Sequence, residues 1–434
     1  MSDKTKSSSD LYDTPVITTH LPPREKRTKM LQALLDMDPD LSFDDPLEND
    51  MVLNMGPSHP ATHGVLRILL RLDGETIVSA LPELGYLHRG YEKIAENETY
   101  HEFITHTDRL DYLQPLHNNV AYILAVEKLL GIEAPPRAQY IRTLLSELAR
   151  ISSHLVAFGV MAMDVGAMTL LLWCFREREK IHDIFDLVVG ARFTTSFTRI
   201  GGIAQDIQDD GIAAIRAFIE QFPERQLEAE RLVSRNRIFY DRCRNTGVIS
   251  AEDALAIGLT GPNLRGSGVP LDLRRDNPYM VYDQLDFDVI TESEGDSLAR
   301  YYVRLKEMEE SLKIIRQCLE KLPEGSVHAH EPKKVLPRKE RIYTRMEELI
   351  HDFMIVNFGV NPPEGEVYHA VESAKGQLGF HIVSRGEGHP WRLKIRSPSF
   401  CNLQALPQLL KGHLLSDILA ILGSLDPVMG EADK

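Results

Sequence analysis

The sequence predicts an α+β protein, a mostly helical core with small antiparallel β-sheets near its N- and C-terminal parts. Three observations carry this. Apolar residues recur three and four apart through the middle of the chain, the period of an amphipathic helix. Period-two alternation is confined to two stretches, after residue 64 and within 365–395. The composition is globular, with 434 residues, 43% of them hydrophobic and 26% charged.

Taken in order, residues 1–50 are polar and Pro/Asp-rich and read as an N-terminal extension with one short amphipathic stretch at 29–36. The remainder, 51–434, reads as one domain. A strand starts at 51–54, and GPSHPATHG (56–64) is a loop bounded by glycines and broken by prolines. Leu66, Ile68, Leu70 and Leu72 then mark a strand, Asp73-Gly74 a hairpin turn and 76–81 the returning strand, giving a β-hairpin region over 51–90. A helical core fills 91–350, with helices expected at 118–130, 137–163, 170–189, 206–221, 224–234 and 297–322. Residues 258–280 are Gly/Pro-rich and read as an extended loop. A small β region spans 360–400. Helices at 402–411 and 415–422 and a tail complete 401–434.

Lysine plus arginine number 49 against 64 for aspartate plus glutamate, a net charge of −15. That excludes the basic face of a nucleic-acid binder and disfavours an electrostatic hold on an anionic membrane. The four cysteines, Cys174, Cys243, Cys318 and Cys401, lie far apart with no CxxC, so a disulfide framework or self-contained metal site is not expected. The N-terminus lacks the apolar stretch of a secretory signal. Residues 154–175 are long enough to span a bilayer, but Asp164 sits in their middle, where a carboxylate costs roughly 2.5–3.5 kcal/mol. A buried helix pair is the expectation.

His59 and His63 are four apart, a metal-binding spacing on a helix, yet Pro60 and the flanking glycines oppose one. Asp164, inside an apolar run, must be paired or protonated. A histidine of the glycine loop would make with it a proton-handling pair. Alternatively, Asp164 faces an internal water cavity. In TDRLDY (107–112), Asp108 or Asp111 is expected to cap a helix, while Tyr112 could donate to a carbonyl ligand. Arg265, Arg274 and Arg275 read as a salt-bridged surface. Neither GxGxxG at a strand–helix junction nor GxxxxGK[ST] occurs, so no nucleotide site is evident.

GPSHPATHGVLR, GYLHRGYEK, TDRLDYL, REREKI, RIGG, TGPNLRGSG and the terminal GSLDPVMGEADK resemble the quinone-site D-subunit family of NADH-quinone oxidoreductases, respiratory complex I. The likeness runs in order from about residue 50 to the end. This family is similar to the large subunits of nickel–iron hydrogenases, which bind their metals through RxCGxC and DPCxxC. Those registers here are Arg109 to Gln114 and Asp426 to Glu431, and the four thiolate positions hold Asp111, Gln114, Val428 and Glu431. Soft metals need thiolates there, so no metal is expected.

The resemblance implies that the vacated cavity binds a quinone headgroup as substrate, with His63 and Tyr112 on its carbonyls. It pairs Asp164 with His63, puts His59 on the same loop, and turns Arg89 and Arg109 toward a partner's iron–sulfur cluster. It further implies that FMN and the clusters reside in partners: an iron–sulfur subunit with the terminal cluster, other peripheral-arm subunits and membrane-arm subunits. The chain would act as part of an ion-translocating complex, peripheral on the cytoplasmic side of the inner (plasma) membrane. One departure matters: many members carry a histidine just after the GxRF run, and here Thr194 follows Gly190-Ala191-Arg192-Phe193. A hydrogenase-like metalloenzyme and a non-catalytic scaffold are the readings set beside this one.

Overall fold

A computed structural model describes residues 51–234 and 236–434; the expectation of a polar extension over 1–50 falls outside the described residues. The first alternating stretch forms an antiparallel sheet of β1 (Met51–Met55), β2 (Arg67–Asp73) and β3 (Thr76–Glu83), in that order. Asp73 pairs with Thr76 across a tight turn, and Gly74 takes the positive φ (60°) that such a turn requires. Leu66, Ile68, Leu70 and Leu72 are fully buried, and they share one apolar cluster with Leu403, Leu406, Leu410, Ile421, Leu425 and Met429. The start of the domain is thus held by its end.

Five long helices follow. They are α1 (Pro115–Leu130), α2 (Pro136–Asp164), α3 (Met168–Val189), α4 (Asp209–Ser234) and α5 (Ser297–Lys321). Local chemistry sets their ends. Pro115 opens α1 with its φ already helical, and Gly131 closes it at φ 64°. Asp296 caps α5 by accepting the Ala299 N–H at 2.7 Å. Helix α2 packs against both α3 and α5. It is the one described helix long and apolar enough to cross a membrane, and most of it lies buried within the protein. The expected helix pair around Asp164 is therefore present, turning at Val165–Ala167.

Several expectations need correction. The sequence predicts two helices either side of Pro223, but α4 runs through it. Its stripe of Ile215, Phe218, Ile219, Phe222, Ala229 and Val233 is buried without interruption. Burying each large side chain contributes about 1.5–3 kcal/mol, which together outweigh the ~3 kcal/mol that an interior proline costs. Within 258–280 the chain makes two short helices, Pro262–Arg265 and Leu273–Asp276. Arg265 and Arg274 there are buried and not a surface. Arg265 donates to Glu307 and Glu372, both at 2.8 Å, and Arg274 to Asp272 at 2.7 Å. Glu147 receives Tyr282 at 2.6 Å and Ser311 at 2.7 Å. Burial alone would raise its pKa, but the guanidiniums of Arg150 and Arg274 hold it well below the carboxylate range. Interior charges persist only when paired in this way.

Between α3 and α4, β4 (Thr198–Arg199) and β5 (Gly202–Ile203) form a minimal ladder. The second large sheet comprises β6 (Gly365–Ser373), β7 (Gly376–Ser384) and β8 (Arg392–Arg396), antiparallel in chain order. Before β6 comes α6 (Met346–Phe358), absent from the expectations; of its residues only Ile355 is buried. The closing region holds α7 (Pro398–Leu403), a helical turn at Leu406–Leu410, α8 (Ile418–Leu425) and α9 (Met429–Asp433). The expected helix at 402–411 is split, because Gln404 and Ala405 end one turn before Pro407 helps start the next.

Candidate functional site

The loop between β1 and β2 carries the two histidines. His59 caps a 3-10 turn, Pro60–Thr62, accepting the Ala61 N–H on Nδ1 at 3.2 Å. The Thr62 hydroxyl donates back to the His59 carbonyl at 2.9 Å. His63 ends the turn at φ 55°. A helical two-histidine metal site does not form. Among the described residues no group of three or more His, Cys, Asp or Glu is placed to hold a metal.

The four positions where a hydrogenase-like chain would have thiolates come together, although they belong to segments about three hundred residues apart. Asp111, Gln114 and Glu431 are wholly buried, and Val428 nearly so. Neither Asp108 nor Asp111 caps α1, whose N-cap is Gln114 without a side-chain bond. Asp111 instead accepts the Leu113 N–H at 3.0 Å and the Gln114 amide at 2.5 Å. Gln114 in turn accepts the Ala374 N–H at 2.9 Å. Asp108 bonds across to Ser196, whose N–H and hydroxyl reach it at 2.9 and 2.6 Å. Asp108 thus ties two distant segments together, while Asp111 closes a local turn onto Leu113 and Gln114, and neither serves as the cap.

Around them stand residues that sequence reasoning missed. Lys375, in the β6–β7 turn, is buried and ion-paired with Asp426. Asn402 donates to the Lys375 carbonyl at 3.1 Å. Ser399 gives its N–H to Glu431 at 3.0 Å and its hydroxyl to the same oxygen, and it accepts the Val428 N–H at 3.0 Å. Gly430 brings α9 close: a Cβ there would lie 2.6 Å from the Leu110 carbonyl and 3.3 Å from the Tyr112 ring. Burial, with the Asp111 charge added, pushes Glu431 up to about 8. In the sequence only the resemblance signals this centre, and it marks Asp111, Gln114, Val428 and Glu431 but not Lys375, Ser399 or Asn402.

His63 and Tyr112 both border this centre, since each feels the charge of Asp426. The His63 side chain is exposed, yet the surrounding protein is the largest influence on its imidazole and holds it below the ordinary value, with Asp426 opposing. Tyr112 is half-buried. Burial first, then the negative charges of Asp111, Asp426 and Glu431, hold its phenol above the usual range. Asp164 ends α2 beside Gly423 of α8, and α8 also touches the 3-10 turn that ends in His63. Among the described residues no hydrogen bond joins Asp164 to His63. Burial alone lifts the Asp164 carboxyl to about 6.

Arg89 and Arg109 lie together on the exposed side, with Arg89 donating to the Arg109 carbonyl at 2.9 Å. The loop that carries Arg89 is clamped by Asp433 of α9, which accepts the Gly85 and Leu87 N–H groups at 3.0 and 2.6 Å. Thr194 is exposed. The nearby His182 is fixed by the Arg192 carbonyl and lies with its ring 6.3 Å from that of Phe193.

The fold and its centre define a class: helical α+β chains in which buried carboxyls, here Asp111 and Glu431, stand at positions that a hydrogenase-like chain gives to thiolates. The sequence family described as the respiratory-chain NADH dehydrogenase 49 kDa subunit matches residues 164–434. Three relatives agree. The chain is similar to the first D subunit of the NADH-quinone oxidoreductase of Chloroherpeton thalassium, 60% identical over 94% of this chain and 93% of that one. It is also similar to the D subunits of the NADH-quinone oxidoreductases of Methylacidiphilum infernorum, 56% identical over 88% and 92%, and of Salinibacter ruber, 54% identical over 90% and 87%. The chain belongs to the family of respiratory-chain NADH dehydrogenase 49 kDa subunits.

Proposed function

We propose that the polar centre holds a quinone headgroup and that this chain passes to it electrons from an iron–sulfur cluster in a partner subunit. The supporting observation is that Tyr112 packs against α9 at Gly430 and feels Asp111, Asp426 and Glu431, while His63 feels the same Asp426 and its partner Lys375. Quinone reduction takes two electrons and two protons. Tyr112, its acidity suppressed, stays protonated at neutral pH and donates a hydrogen bond to one carbonyl. His63 stays neutral until charge develops on the ring, then accepts or delivers a proton. Asp164 steadies the charged imidazole across α8, and His59 shapes the loop. Arg89 and Arg109 face the partner's cluster.

In this reading the chain is active only within the assembled NADH:quinone oxidoreductase, whose membrane arm couples the reaction to proton translocation. It carries neither FMN nor a cluster, which partner subunits supply. It is peripheral, on the cytoplasmic side of the membrane, held by partners. The exposed apolar side chains of α6, among them Met346, Leu349 and Phe353, support such contacts. The test is Tyr112→Phe. A hydrogen bond of this kind is worth about 0.5–1.5 kcal/mol, more where charge develops. Complex should assemble at normal abundance and pass electrons to an artificial acceptor, while quinone reduction falls about tenfold or more; His63→Ala should do likewise. Normal quinone turnover per complex in Tyr112→Phe would overturn the assignment.

A further inference from the structure

We propose that Glu431 is the proton store of the site: it holds one proton beside Tyr112 and resupplies the phenol after each quinone reduction. The inference rests on the quinone reading and adds to it a group with no role there. Four observations support it. Glu431 is wholly buried. One of its oxygens is anchored by the Ser399 N–H and hydroxyl. The other, Oε2, is buried with no partner, which suits a neutral carboxylic acid and is costly for a carboxylate. Gly430, one residue earlier, packs so closely that a Cβ there would lie 3.3 Å from the Tyr112 ring.

The surrounding charges decide where the proton rests. Burial raises the Asp111 carboxyl too, but both of its oxygens are satisfied, by the Leu113 N–H and the Gln114 amide, whereas Glu431 has one that is not, so Asp111 is the member of the pair that can keep its charge. Two buried carboxylates that act on each other do not both ionise readily, so one proton is held by the pair. Lys375 of the β6–β7 turn is committed to Asp426. It favours ionisation of Glu431 but is outweighed by burial and Asp111. Cys401 on α7 and Lys434 beyond α9 lie nearby, Arg178 of α3 acts on Asp111, and Arg304 of α5 stands 3.9 Å from Asp426. The balance leaves Glu431 an acid of about 8 next to a phenol raised above its usual 10. Proton transfer from Glu431 to a Tyr112 phenolate therefore runs downhill.

In one cycle, two electrons from the partner's cluster enter the quinone and two O–H bonds form on its oxygens. One of those protons leaves the Tyr112 hydroxyl. The Glu431 O–H bond then breaks, Tyr112 regains its proton, and the Glu431 carboxylate takes a proton from water. The second proton comes through His63. The variant Glu431→Gln keeps an acceptor for Ser399 but carries no exchangeable acid proton.

The experiment uses the assembled complex, with quinone turnover per complex followed from pH 6 to 9. The unmodified complex should show an alkaline limb near pH 8. In Glu431→Gln, turnover should fall about tenfold or more and that limb should vanish, while electron flow to an artificial acceptor persists; Glu431→Asp, which keeps an acid, should recover part of the rate. Asp111→Asn removes the like charge, so the limb should move to lower pH, and this holds as a test even where Glu431→Gln assembles poorly. Wild-type turnover with an unmoved limb in Glu431→Gln, or an unmoved limb in Asp111→Asn, would overturn the proposal. Failure of the quinone reading itself shows differently: Tyr112→Phe would then turn over normally whatever Glu431 does.

Discussion

Asp164 shows what a single carboxyl does to a fold. Burial raises it from 3.8 to about 6, so folding favours its protonated form. By linkage, its contribution is fully present below the ordinary carboxylate value and is lost as pH rises through about 6. At pH 7 the ionised group therefore destabilises the fold, and an amide would not. Asp164→Asn should melt at a higher temperature than the unmodified protein at pH 7, with the gap narrowing at pH 5, while quinone turnover drops. Thermal melts of the assembled complex at the two pH values check this; a gap that widens toward acid would show that burial is not what sets this carboxyl. On the proposed reading Asp164 gives up stability for function, a common pattern. At this scale the sequence is partly legible. A carboxylate inside an apolar run announces itself, as Asp164 does. A buried lysine does not: Lys375 precedes Gly376 and reads as a turn, and only the fold places Asp426 against it. Arg265 and Arg274 are misread as surface for the same reason, since carboxylate partners of both lie far away in sequence.

At the scale of elements, long periodic helices are legible almost to their ends, because Pro115 and Gly131 punctuate α1 and Asp296 caps α5. Helix α4 is not, since a proline rule of local origin loses to a buried stripe of tertiary origin. Five residues of α9 do more than their length suggests. Asp433 ties down the Gly85–Leu87 backbone, Glu431 meets Ser399, and Gly430 admits the Leu110 carbonyl. No periodicity marks so short a helix, and isolated it would not form. Its warrant is the contact at Gly430. Gly430→Ala would place a methyl 2.6 Å from the Leu110 carbonyl, which forces α9 off the Arg109–Tyr112 segment at roughly 1–3 kcal/mol. Complex should still assemble, with quinone turnover reduced several-fold in steady-state assays. An alanine variant with full turnover would show that the close approach is slack.

Across the whole molecule, the described residues form a helical core whose first sheet and last helices share one apolar cluster, while Leu110 belongs to the other. The candidate site draws its walls from both, which explains why no single stretch of sequence displays it. The resemblance pointed to Tyr112, His63 and the four thiolate-free positions as candidates; it did not supply the hydrogen bonds around them. It also singled out Thr194, which cannot titrate. On the proposed reading, in which a partner's cluster faces Arg89 and Arg109, that cluster should show a midpoint potential that depends only weakly on pH in redox titrations followed by electron paramagnetic resonance. A slope near the limit of about 59 mV per pH unit for a one-electron step would point to His182. Its burial holds that imidazole below the ordinary value, and it lies against the loop that ends in Thr194.

The central claim is that a quinone headgroup sits between His63 and Tyr112, and photolabelling tests it most directly. The assembled complex would be illuminated with an azido-quinone that it reduces in the dark, digested, and its labelled peptides identified by mass spectrometry. The account predicts label on this chain, in the peptides holding 56–67 and 109–113, abolished by excess natural quinone. Competable label confined to other segments, or to other subunits alone, would contradict it.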